Sequence, residues 1–151
     1  MLNIVVLGSG GREYAIIDKL IQDSNDELYY PLSNIYFYPR NDALLHNYSV
    51  TTLIPDEYCP TKEDNYLSFI NYCKKNSVDL VIIGPEQHLV NGIVNYLNDS
   101  EISAFGPDLL SSKLEGSKVF AKKYMSKNNI PTSPYELSNI NLLEKSKKFI
   151  N

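Results

Sequence analysis

The chain has 151 residues, 43% hydrophobic and 21% charged, with a net charge of −4. That length argues for a single domain, and a chain of this size can bury roughly 68–70% of its unfolded surface without covalent staples. The acidic balance argues against nucleic acid as a partner, Cys59 and Cys73 show neither metal nor disulfide spacing, and no apolar stretch reaches membrane length.

Leu2–Leu7 reads as a buried strand, and it runs into Gly8-Ser9-Gly10-Gly11. A helix follows from near Gly11 to Gln22, with Tyr14, Ile17, Leu20 and Ile21 at helical spacing. Ser24-Asn25-Asp26 breaks it, and Ile35–Tyr38 forms the second strand. Residues 41–61 give little pattern beyond a short strand at Val50–Ile54. Lys62–Asn76 reads as a helix with Thr61 as its N-cap and Asp64 three residues on. Asp79–Ile83 is a β-branched strand ending in Gly84-Pro85-Glu86, and a helix from about His88 to Asn98 follows it. Ile102–Phe105 is a short strand ending in Gly106-Pro107. From there strands disappear, and helices are expected near Asp108–Leu114, Ser117–Lys127 and Leu142–Ile150. The N-terminus lacks a basic n-region, and Asn3 and the glycine loop interrupt any apolar core, so it does not read as a signal peptide. With the unpaired cysteines, this sets the expectation of a cytoplasmic protein with no membrane partner.

Strands alternating with helices imply an α/β fold with a Rossmann-like parallel sheet, flanking helices and a helical C-terminal extension. The expected division is residues 1–107 and residues 108–151. In parallel sheets ligands bind beyond the carboxyl ends of the strands. Glycine-bearing turns follow the strands at Gly8–Gly11, Gly84–Glu86 and Gly106-Pro107, so all of them are expected on one rim.

The first of these turns fits the dinucleotide fingerprint only in part. Gly8 and Gly10 take the first two glycine positions, but Glu13 stands at the third, and the second strand ends in Pro39-Arg40-Asn41 without an acidic tip. A nicotinamide dinucleotide is therefore disfavoured. Free N–H groups at the start of the following helix favour a phosphate or carboxylate. Arg12 could pair with a phosphate, against a solvated arginine as the plain alternative. Glu13 could cap its own helix or bind an amine. Glu86 could accept hydrogen bonds from a ribose diol, or simply favour its helix N-terminus. Lys118 opens a helix after Gly116-Ser117 against the dipole, which suits an anion, although an exposed lysine explains it locally. His46 and His88 read as isolated surface residues. No catalytic triad, metal cluster or acid–base pair is visible.

Together these motifs resemble the N-terminal part of the glycinamide ribonucleotide synthetase (phosphoribosylamine–glycine ligase) family. The resemblance rests on Gly8–Glu13, on Asp79–Glu86 with Leu89–Ile93, on Phe105–Pro107, on Leu114–Lys122, and on Met125 with Ile130–Thr132, in that order. It implies a pre-ATP-grasp domain leading into an ATP-grasp domain. It also implies ATP- and Mg²⁺-dependent joining of glycine to 5-phosphoribosylamine through a glycyl phosphate, in purine synthesis. Gly8, Gly10, Gly11, Arg12, Glu13 and Glu86 would then contribute to binding phosphoribosylamine, and Lys118 would contact nucleotide phosphate. Most ATP contacts and the Mg²⁺ ligands would come from the remainder of the ligase polypeptide, so these 151 residues alone are expected to be inactive. The alternatives are a non-catalytic sugar-phosphate-binding or interaction module derived from that family, and the N-domain of a related carboxylase. Tyr14 and Arg40 depart from the family pattern, which has histidine and glycine there. Arg40 in particular is expected to disturb the rim if its backbone must take positive φ.

Overall fold

The computed structural model of the protein describes residues 1–24, 31–48 and 51–136. Two compact units make up the chain, Met1–Ser112 and a second beginning at Lys113.

The first unit is built on five parallel strands: β1 (Leu2–Leu7), β2 (Leu32–Tyr38), β3 (Thr51–Leu53), β4 (Leu80–Ile83) and β5 (Ser103–Phe105), in the order β3-β2-β1-β4-β5. Successive side chains point to opposite faces of a strand, and β1 shows why its run is apolar from Ile4 to Leu7. Ile4 and Val6 join Ile17, Ile35, Phe37 and Leu44 in one core, while Val5 and Leu7 join Val81, Ile83 and Phe69 in the other. A strand covered on both faces has no polar side to show.

The first core is closed by α1 (Gly11–Asp23) and α2 (Asp42–Asn47), the second by α3 (Leu67–Lys75), α4 (Glu86–Val90) and α5 (Ile93–Asp99). The helices thus lie on both sides of the sheet, as the Rossmann-like expectation requires. The helix expected over Leu142–Ile150 lies outside the described residues.

Several element boundaries differ from those read from the sequence, each for a local reason. The helix expected from Lys62 begins only at Leu67, because Asn65 and Tyr66 take left-handed backbone angles (φ 54° and 63°). The Tyr66 amide closes a turn onto the Thr61 carbonyl at 2.9 Å, and Asp64 rather than Thr61 serves the helix, accepting from the Ser68 amide at 3.0 Å. The single helix expected over His88–Asn98 is two, divided at Gly92 (φ +85°). Helix α2 was not expected. It is only six residues long, too short for a periodic pattern, and depends on its Asn41 cap.

The second unit begins with α6 (Lys113–Gly116) and α7 (Lys118–Lys127). The helix expected over Asp108–Leu114 is replaced by turns up to Ser112, where the Asp108 side chain accepts from the Ser111 amide at 2.7 Å. Ser117 caps α7, its hydroxyl accepting from the Phe120 amide at 3.2 Å.

Candidate functional site

Because every strand is parallel, all carboxyl ends lie on one edge of the sheet. The direction of winding reverses at β1, which has β2 on one side and β4 on the other. A crevice outside the strands opens at such a reversal, and ligands of open α/β sheets bind there. Leu7 is in register with Ile83, so the loops that follow, Gly8–Gly11 and Gly84–Glu86, face each other across that point. Gly106-Pro107 follows β5, the next strand along the same rim.

Glu13 sits between the two loops and is 5% exposed. Its Oε2 accepts a hydrogen bond from the Gly10 amide at 2.8 Å, which is half of a capping box, since a glycine has no side chain to return the second bond. Space for this carboxylate comes from two glycines. A Cβ on Gly84 would stand 2.0 Å from Glu13 Oε1, and one on Gly8 would stand 2.5 Å from the Glu13 side chain. Gly8 is also held at φ +118°, which favours glycine. The capping alternative for Glu13 is therefore the one the geometry displays. The glycine missing at its position in the fingerprint is made up by glycines on the neighbouring strands' ends.

Two further side chains cross between loops. Arg12 Nη1 donates to the Gly84 carbonyl at 2.8 Å, tying the first turn of α1 to the β4 loop. Asn41 Nδ2 donates to the Ser9 carbonyl at 3.0 Å, while its Oδ1 caps α2 through the amides of Ala43 and Leu44. No role for Asn41 is readable from sequence pattern. Its signal, an asparagine directly before a helix, is masked by the shortness of α2. Arg40, beside it, does not take positive φ and pairs with Asp42 at 2.7 Å in solvent.

The remaining positions read from the sequence fall as follows. Ser9, Gly10, Gly11 and Arg12 are exposed on the rim, and the Gly11 and Arg12 amides have no acceptor among the described residues. Glu86 opens α4 after Pro85, exposed, with no partner among the described residues. Lys118 is exposed at the start of α7, in the second unit. Tyr14 is not on the rim. Its hydroxyl accepts from Asn47 Nδ2 at 3.0 Å and lies 3.3 Å from the Tyr48 hydroxyl, joining α1 to the end of α2.

His88 is not a surface residue as expected. It is half-buried, edge-on to Tyr66 at 6.2 Å, and burial pushes its pKa down. Among the described residues, no three His, Cys, Asp or Glu side chains are grouped to hold a metal ion. A shallow cavity of about 240 Å³ lined by Asn98, Glu101, Ile102 and Ser103 lies at the amino end of β5, away from the rim. No helix of the described residues is long and apolar enough to cross a membrane.

Comparison with known proteins shows the family to which this fold belongs. The family profile described as phosphoribosylglycinamide synthetase, N domain, matches residues 2–115. A phosphoribosylamine–glycine ligase of Listeria monocytogenes serotype 4b is 38% identical over 133 residues, which is 87% of this chain and 28% of that enzyme. A bifunctional purine biosynthetic protein of Pichia angusta is 36% identical over 149 residues, 99% of this chain and 17% of that protein. One of Dictyostelium discoideum is 38% identical over 134 residues, 89% of this chain and 15% of that protein. The chain thus spans little more than a quarter of the Listeria enzyme and less of the bifunctional relatives. With the profile covering most of its length, the chain belongs to the phosphoribosylglycinamide synthetase N-domain family.

Proposed function

We propose that this chain supplies the sugar-phosphate half of a phosphoribosylamine–glycine ligase site, within a cytoplasmic, ATP-dependent purine-synthesis enzyme. One observation carries the reading. The loops after β1 and β4 meet where the strand order reverses, and they bring the uncommitted Gly11 and Arg12 amides to the same rim as the exposed Glu86 carboxylate. Amides at a helix start suit an anion, and a carboxylate suits a diol. A ribose phosphate carries both groups.

The division of labour follows from what these residues can do. Gly8, Gly10 and Glu13 shape the loop. Gly11, Arg12 and Glu86 are the groups left to meet a ligand. Joining glycine to the amine through a glycyl phosphate needs ATP and Mg²⁺, and the described residues hold no cluster suited to the metal. Those functions fall to the part of the ligase that lies beyond the matched region, with Lys118 as this chain's own contribution to nucleotide phosphate. On this reading residues 1–107 form the pre-ATP-grasp domain, and residues 108–151 start the ATP-grasp part.

The test is a chimera in which residues 2–115 of this chain replace the matched region of the Listeria relative. ADP release dependent on both glycine and phosphoribosylamine is expected from the chimera and not from the 151-residue chain alone. A folded chimera that releases no ADP, made from a parent that does, contradicts the reading and favours a binding module without catalysis.

A further inference from the structure

The Ser9–Gly10 peptide unit is held at both ends by side chains from different elements. Asn41 Nδ2 takes its carbonyl oxygen at 3.0 Å, and Glu13 Oε2 takes its N–H at 2.8 Å. Ser9 C=O and Gly10 N–H belong to one rigid plane. A bond at each end therefore opposes a flip of that plane, which glycine at position 10 would otherwise permit. Just upstream, the Gly8 amide donates to the Tyr38 carbonyl at 2.7 Å, anchoring the entry to the loop.

From this two-ended clamp we infer that Asn41 is a positioning residue for the glycine loop, acting through the Ser9–Gly10 peptide rather than by touching the ligand. The residue type supports this. Capping α2 needs only an acceptor, which Asp, Ser or Thr would supply equally well. Holding the Ser9 carbonyl needs a donor as well, which aspartate lacks and the asparagine amide supplies. The clamp also sorts the loop's donors. Gly10 N–H is spent internally, so the Gly11 and Arg12 amides are the ones free for a sugar phosphate. This step rests on the proposed function, while the clamp itself does not.

Asn41→Asp separates the two roles, because aspartate keeps the cap and loses the donor. The full 151-residue chain and the variant are compared by thermal unfolding, by amide hydrogen exchange, and by titration with ribose 5-phosphate. The expected result is an unchanged unfolding midpoint, faster exchange at Gly10, and ribose 5-phosphate binding weakened about threefold to tenfold, the loss that one hydrogen bond produces. Unchanged exchange at Gly10 with unchanged affinity overturns the inference. Should the parent chain bind no ribose 5-phosphate, the proposed function loses its support. The exchange rates then decide the clamp alone, with faster exchange at Gly10 in the variant upholding it and equal exchange refuting it. If Asn41→Asp unfolds, Asn41→Gly, which caps nearly as well and carries no side-chain donor, takes its place with the same expectations.

Discussion

Glu13 Oε1 occupies the space that a side chain on Gly84 would need, with a Cβ there only 2.0 Å away. These two residues are far apart in sequence, yet each fixes what the other can be. Gly84→Ala must push the carboxylate off its Gly10 bond or shift the β4 loop, and overpacking of this kind costs about 1–3 kcal/mol. Removing the carboxylate as well should relieve the clash. In urea unfolding, Gly84→Ala is expected to be less damaging in a Glu13→Ala background than alone, with a coupling energy of about 1 kcal/mol or more. Additive losses would mean that the two loops are not joined through Glu13.

His88 predicts a pH dependence. Burial beside Tyr66 lowers its pKa below the ordinary value of 6.5, so the folded state prefers the neutral ring. Between the folded and unfolded pKa values the unfolded chain binds more protons, and stability there rises with pH. The contribution is complete above the unfolded value and is lost as pH falls toward the folded one. Urea midpoints measured from pH 7.5 to 5.5 should decline, and the decline should be shallower in His88→Gln. An equal slope in both proteins would place the titrating group elsewhere.

Tyr14, where the sequence resemblance implies histidine, has a structural task. Its hydroxyl accepts from Asn47 and lies 3.3 Å from the Tyr48 hydroxyl, whose single proton goes to Asp18 at 2.6 Å, which raises the Tyr48 pKa. Tyr14→Phe is expected to cost about 0.5–1.5 kcal/mol in unfolding experiments, the usual worth of such bonds. Ribose 5-phosphate affinity should stay that of the parent. A loss of affinity with stability intact would put Tyr14 in the site after all.

How much of this was legible beforehand depended on distance along the chain. Strand β1 and its glycine loop are readable because the buried run Ile4–Leu7 is apolar at every position and the turn is local. The absence of a glycine at position 13 was equally plain. Its compensation by Gly84 was not, because that relation exists only once β1 and β4 lie side by side. Asn41 was hidden twice, by the shortness of α2 and by a bond to Ser9 that spans 32 residues. The late start of α3 follows from two consecutive left-handed residues, Asn65 and Tyr66, neither of them glycine, which pattern alone does not announce. Glu86 was placed on the rim from its Gly-Pro context, and it lies there.

On the proposed reading, ligand recognition sits between the β1 and β4 loops. Its most direct test is titration of the 151-residue chain with ribose 5-phosphate, a stable stand-in for phosphoribosylamine, followed by amide NMR shifts. Saturable shifts concentrated at Gly11, Arg12, Glu13 and Gly84–Glu86, and reduced in Glu86→Gln, are the predicted result. Shifts centred on the Asn98–Ser103 cavity, or none at millimolar ligand, would contradict it.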